Sequence, residues 1–367
     1  MRAHPRPRTL TPLAAVAGAL ALGLTLAACG GSSSASDKGG KDGAKASTEV
    51  TVYSADGLHS DAGDGFYDKV FKDFTAATGI KVNYVEGGSG EMVQRLVREK
   101  SNTKADLIVT LPPFIQQADT KGLLDTYTPK GADQVAAADK GADNRWVSIV
   151  NNYLCFIYNT KELPQPPKTW DDLLDAKFKN KLQYSTPGVA GDGTAVVIKA
   201  VHDFGGQQPA MDYLKKLQAN NVGPSASTGQ LASKVDKGEL LVANGDVQMN
   251  YADMASMPNQ GIFFPAATAT GKPTTFALPY AAGVVKNAPH ADAAKKLLDY
   301  FLTPEVQQEV SSVGGGFSSR GDVHATDRNA TELQKIMSGV DVFTPDWNDI
   351  DSNLTTYVDA WQSATGS

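Results

Sequence analysis

Between residues 49 and 110, strand-like and helix-like patterns alternate, and no other feature of the chain limits its fold as much. Glu49-Val-Thr-Val-Tyr-Ser54, Ile80-Lys-Val-Asn-Tyr-Val85 and Ala105-Asp-Leu-Ile-Val-Thr110 are short runs rich in β-branched and aromatic residues. Between them, Phe66, Tyr67, Val70, Phe71 and Phe74, and then Met92, Val93, Leu96 and Val97, recur at the spacing of one helix face. Such a βαβαβ run implies a parallel sheet with helices on its faces.

A second α/β set follows a long strand candidate at 146–158. It comprises a strand at 182–186, a helix at 194–204 closed by Gly205-Gly206, a helix at 211–219, and short strands at 240–243 and 247–251. Residues 275–285 are then extended, and a helix at 291–302 is stopped by Thr303-Pro304. The extended segments at 146–158 and 275–285 bracket the second set. The expected architecture is therefore two α/β lobes joined by a two-strand hinge, with a cleft that closes around a ligand. In residue terms this gives 49–150 as the first part of lobe one, 151–275 as lobe two and 276–335 as the return to lobe one. Residues 336–367 form a C-terminal helical segment expected to pack on lobe two.

The N-terminal residues differ from this body. Met1-Arg-Ala-His-Pro-Arg-Pro-Arg8 is basic, and the apolar run 13–26 is too short to span a bilayer, so 1–28 reads as a signal peptide. Leu26-Ala-Ala-Cys29 resembles the lipobox of bacterial lipoproteins, which implies lipidation of Cys29. Residues 29–48, rich in Gly, Ser, Lys and Asp, read as a flexible tether. The expected location is the extracytoplasmic face of the cell membrane, held there by lipid alone. Cys155 is then the only other cysteine, flanked by apolar residues on a strand, and reads as a small buried hydrophobe. Removing 1–28 takes three arginines and no acid, turning 34 basic and 40 acidic residues into 31 and 40, a net charge of −9. That balance argues against nucleic acid as a partner.

Little in the chain points to catalysis. His59, His202, His290 and His324 form neither a His-Glu-x-x-His pair nor a zinc-spaced Cys/His cluster. Gly87-Gly-Ser-Gly-Glu91 begins like a nucleophile elbow and ends in glutamate where glycine is needed. Ser185-Thr-Pro-Gly-Val-Ala-Gly-Asp-Gly-Thr-Ala195 spaces Gly188 and Gly193 like a nucleotide-binding phosphate loop, but Thr194 stands where that loop requires lysine. Binding without chemistry, and without a cofactor or a catalytic residue, is the expectation.

From Thr51-Val-Tyr-Ser-Ala-Asp-Gly57 through Thr78-Gly-Ile-Lys-Val82 and Ala105-Asp-Leu-Ile108 to Gly315-Gly-Phe-Ser-Ser-Arg320, the chain resembles the extracellular solute-binding proteins of ABC importers. The resemblance is to the branch holding ferric-iron and 2-aminoethylphosphonate binders, and it implies the type II periplasmic-binding-protein-like α/β fold. Ferric binders of this branch hold iron through two adjacent tyrosines. The matching stretch here is Met249-Asn-Tyr-Ala-Asp253, with Ala252 in the second tyrosine's place, so iron is a poor match. The segment Thr186-Pro-Gly-Val-Ala-Gly-Asp-Gly-Thr194 resembles that of the aminoethylphosphonate binders, and implies a small phosphonate ligand carrying an amine. Ferric iron, another small anion or a polyamine is the alternative cargo. An ABC permease is the implied protein partner, and the protein itself is expected to be a monomer.

A phosphonate needs many donors with little bulk, which helix N-termini and glycine-rich backbone provide. The expected anion contacts are Gly191, Asp192, Gly193 and Thr194 at one helix start, Ser89 and Gly90 at another, and Thr110, Thr186 and Gly57 at strand ends. The ammonium is expected to meet Asp253, Tyr251 and Asp56. No metal site is expected.

Overall fold

The structure is a computed structural model and describes residues 47–367. The signal peptide, Cys29 and nearly all of the tether lie outside the described residues.

Strands β1 (Glu49–Ala55), β2 (Lys81–Gly87) and β3 (Leu107–Thr110) alternate with helices α1 (Phe66–Thr78), α2 (Ser89–Glu99) and α3 (Phe114–Thr120). β1 runs parallel to both β2 and β3. Strand β4 (Val147–Val150) and the late strand described below complete this first sheet; β5 (Leu154–Asn159), β6 (Leu182–Gln183), β7 (Val242–Asp246) and β8 (Gln260–Phe263) make a second. Helices α4 (Gly191–Asp203), α5 (Gln207–Leu217), α6 (Gly229–Asp236) and α7 (Val247–Asp253) belong to this second set. After β9 (Thr274–Phe276), the chain returns as β10 (Tyr280–Val284), then α8 (Ala291–Phe301), α9 (Pro304–Ser312) and α10 (Arg328–Ile336). It ends with β11 (Asp341–Phe343), parallel to β9, and α11 (Trp347–Thr365).

The sheet orders are β2-β1-β3-β10-β4 and β6-β7-β5-β8. Alternate residues of β1 explain why the first sheet is covered on both faces. Val50 and Val52 pack with Phe66, Val70 and Phe74 of α1 and Leu297 and Phe301 of α8, whereas Tyr53 packs with Met92, Val93 and Leu96 of α2. The second lobe has its own core around Trp170, Tyr184, Val196, Leu214 and Leu217.

The stretch 146–158 is two strands in different sheets, so residues 151–153 carry the chain across, and 277–279 bring it back. These two crossings pair with one another: Leu278 N–H donates to Asn152 O at 2.8 Å, and Tyr153 bridges Ala277. Residues 247–251 are not a strand. They form α7, because the Asp246 carboxylate accepts from Met249 N–H at 2.7 Å and caps a helix there. The C-terminal helix α11 also departs from expectation, since it touches both lobes: Leu354 joins the core around α2 and α3, and Trp361 joins that of lobe two.

Candidate functional site

The carboxyl ends of β1 and β3 face the ends of β6 and β7 across the junction of the two lobes. Four loop-to-helix junctions meet there, at the starts of α2, α4, α6 and α7, and helix starts present amides without intrahelical acceptors. At α4, the N–H groups of Gly191, Asp192 and Gly193 find no acceptor among the described residues. Gly191 abuts the Ser89 hydroxyl of the opposite lobe, and Ser89 is itself buried.

Several predicted residues meet at this junction, each with a definite task. The Asp56 carboxylate, at the end of β1, accepts from the Ser227 hydroxyl and from Gly229 N–H at 3.1 Å, so it caps α6 from the other lobe. Gly57 has φ of +109°, and a Cβ there would collide with the Tyr280 hydroxyl; its carbonyl accepts from Gln248 Nε2 at 3.1 Å. Gly90 N–H donates to Val189 O at 2.9 Å, a lobe-to-lobe bond that occupies an amide expected to serve an anion. A Cβ at Gly90 would strike Gly188 O, so glycine is what lets the two lobes touch here.

Other predicted contacts are spent on local structure. Thr194 Oγ1 accepts from Gly188 N–H at 2.9 Å and donates to Ala190 O at 3.0 Å, which shapes the loop ahead of α4. Thr186 Oγ1 accepts from Ser225 N–H at 3.1 Å, Thr110 Oγ1 donates to Ser89 O at 3.4 Å, and Gly193 packs against the Ser185 backbone. Tyr251 is turned toward α10, and Asp253 is a largely buried carboxyl whose pKa burial pushes up to about 6. Tyr251 donates to Glu332 Oε2 of α10 at 2.7 Å, and Asp253 ends α7, about 10 Å of helix rise beyond Asp246. They were expected beside the ligand because 247–251 reads as a strand; coiled into α7, Tyr251 commits its hydroxyl to α10.

Of the strongest polar features of the junction only Asp192 was predicted; Asp246, Asn152, Gln248 and Tyr280 were not. Asp246 is fully buried, accepting from Met249 N–H and, at 3.2 Å, from the Tyr280 hydroxyl, which also donates to Asp56 O at 3.0 Å. Burial is the main force pushing its pKa up to about 6; Met249, Asn152 and Tyr280 work against the rise and the nearby Asp56 adds to it. Asp192 is 3% exposed, and burial, then the charges of Asp246 and Asp56, hold its carboxyl well above the usual range. Asn152 Oδ1 accepts from Gln248 N–H at 2.8 Å. Three of the five buried side-chain polar atoms without a hydrogen-bond partner among the described residues belong here: Asp192 Oδ1, Gln248 Oε1 and Asn152 Nδ2. The signal that finds Asp246 is an Asp at a strand-to-helix turn three residues before the amide it caps.

Residues 56–308 match the family model described as bacterial extracellular solute-binding protein. The chain belongs to this family. This solute-binding protein is 47% identical, over 88% of its own length and 94% of the relative's, to a Salmonella typhimurium protein named "Putative 2-aminoethylphosphonate-binding periplasmic protein". Among solved structures it resembles the periplasmic binding protein AfuA from Actinobacillus pleuropneumoniae, with fructose-6-phosphate bound, at a TM-score of 0.75 and 20% identity, covering 87% of this chain and 98% of that one. It also resembles the ferric binding protein from Campylobacter jejuni, at a TM-score of 0.69 and 22% identity, covering 86% and 99%. At these identities the likeness concerns the fold, which is that of two-lobed, type II periplasmic binding proteins.

Proposed function

We propose that this solute-binding protein captures 2-aminoethylphosphonate, or a closely related small phosphonate, between its lobes and hands it to an ABC importer without chemical turnover. One observation carries this reading. At the lobe junction, unacceptored α4 amides adjoin buried, unpartnered side-chain polar atoms, so donors for an anion and acceptors for a cation occupy one place. The α4 dipole and amides suit a phosphonate, with Ser89 as a hydroxyl donor from the facing lobe. The relative named for 2-aminoethylphosphonate supports this cargo. Ferric iron fits less well, because among the described residues no group of three His, Cys, Asp or Glu side chains is close enough to hold a metal ion.

Titration calorimetry with 2-aminoethylphosphonate tests the reading, with putrescine and ferric citrate as competitors. The expected result is saturable binding at micromolar Kd or tighter, about −8 kcal/mol, and a matching rise in thermal midpoint. Absence of heat and of a midpoint shift at millimolar ligand rejects the phosphonate, and tighter binding of putrescine makes it a polyamine carrier. Lipidation of Cys29 is the proposed anchor, so Cys29→Ala should move the protein from the membrane to the soluble fraction; membrane retention of that variant overturns it.

A further inference from the structure

We infer that Asp192 and Asp246 form the subsite that reads the ligand's ammonium, with Asp56 closing it from the other lobe. This rests on the phosphonate reading above and goes beyond it by assigning the amine.

Three carboxylates at one lobe junction lack a cation. No salt bridge among the described residues reaches Asp56, Asp192 or Asp246, although fifteen such pairs occur elsewhere. Asp246 and Asp192 are 0% and 3% exposed, so water does not compensate them, and buried carboxylates are costly unless paired. Asp246 spends one oxygen on Met249 N–H and the other on the Tyr280 hydroxyl; Asp56 spends one on α6. Asp192 Oδ1 has nothing, and neither does Gln248 Oε1, two residues beyond Asp246. An ammonium brings three N–H donors and one positive charge, which is what an unpaired acid cluster with orphaned acceptors lacks.

The place of Asp192 on α4 ties this subsite to the anion. Its side chain leaves the same helical turn whose amides are open, so one turn of helix offers a carboxylate to the ammonium and N–H groups to the phosphonate. Asp56 caps α6 of the opposite lobe with its carboxylate, and its backbone carbonyl shares the Tyr280 hydroxyl with Asp246. A ligand cation held by Asp192 and Asp246, with the Asp56 charge adding its attraction from the other lobe, therefore favours the arrangement in which the lobes meet.

Calorimetry with 2-aminoethylphosphonate and ethylphosphonate, which lacks the ammonium, decides the matter on wild type, Asp192→Asn and Asp246→Asn. Wild type should prefer the amine ligand by about 100-fold, and either variant should shrink that preference to about 10-fold or less while leaving ethylphosphonate as tight or tighter. Asn preserves size and, at 246, the helix cap, and far-UV circular dichroism identifies the folded variants. If wild type binds the two phosphonates equally, capture of a phosphonate stands and the amine subsite falls. Equal losses for both ligands in the variants also overturn it, by giving the aspartates a structural role. If wild type binds neither, the phosphonate reading itself fails and takes this inference with it.

Discussion

The two ends of α4 bury aspartates in opposite electrostatic states, and the difference separates what holds this protein together from what equips it to bind. At the C-terminal end, the Asp203 side chain is 1% exposed and fully engaged: Lys199 pairs with it from one turn back, Trp170 Nε1 donates at 2.7 Å, Thr274 Oγ1 donates at 2.7 Å, and His202 Nδ1 lies 2.9 Å away. Burial works to raise its pKa, but the Lys199 charge and these hydrogen bonds outweigh it and hold the carboxyl below its usual range. At the N-terminal end, Asp192 is as deeply buried, has no cation, and is pushed the other way. One carboxylate completes α4's attachment to β9 and the Trp170 core. The other is left open, which a binding site requires and a core does not tolerate.

The largest effect that sharpens this contrast is expected from Lys199→Met. It strands Asp203 without its cation, and removing one partner of a buried pair costs about 3–5 kcal/mol. Urea unfolding should register that loss, while the folded variant keeps its affinity for 2-aminoethylphosphonate within about threefold. A loss below 1 kcal/mol would mean that the saturated end is not structurally decisive.

The next effect is pH-dependent. Asp246 has a folded pKa of about 6, raised mainly by burial, against roughly 3.9 unfolded. A raised folded pKa means that the folded state binds the proton more tightly, so this stability is present below the unfolded value and is lost as pH rises through 6. The shift of about two units corresponds to at most about 3 kcal/mol. Asp246→Asn removes the titration, so its ligand-free stability relative to wild type should climb between pH 5 and pH 7.5. Asp56, Asp192 and Tyr280 face the same carboxyl, and a flat difference across that range would show that they, not Asp246, hold the proton. Ligand binding should release protons over the same window, visible as calorimetric heats that vary with the buffer's ionisation enthalpy.

How much of this was legible in the sequence follows from which signals are local. The βαβαβ alternation and the glycine-rich opening of α4 depend on neighbours in the chain, and both are where the patterns place them. Residues 247–251 misled because Val247, Met249 and Tyr251 alternate with Gln248 and Asn250, so a short helix imitates the period of a strand. That single change of period turned the Tyr251 hydroxyl toward α10 and hid Asp246 as a helix cap. Asn152 and Tyr280 were out of reach for another reason: each matters only because the two crossings bring distant segments together beside Asp246.

A smaller effect concerns Asp192 without ligand. If its carboxylate is open for binding and not part of the fold's support, Asp192→Asn should leave ligand-free stability unchanged or raise it by about 1 kcal/mol at pH 7.5, since an amide carries no buried charge. A loss above that size in urea unfolding would put Asp192 in the same class as Asp203 and dissolve the contrast between the two ends of α4.

The smallest expected effect tests Tyr251, the predicted residue whose hydroxyl turns toward α10. Tyr251 spends its hydroxyl on Glu332 and, at 3.2 Å, on Asn329, tying α7 to α10. Burial and the Glu332 contact push its pKa up to about 12, so at neutral pH it is a neutral donor. Tyr251→Phe removes that donor and leaves the ring, at a cost of about 1 kcal/mol in urea unfolding. Its affinity for 2-aminoethylphosphonate should match wild type, because the hydroxyl points to α10 and the ligand is assigned to the starts of α4 and α7. A tenfold weaker binding with unchanged stability would return Tyr251 to the site and imply that α7 unwinds when ligand enters.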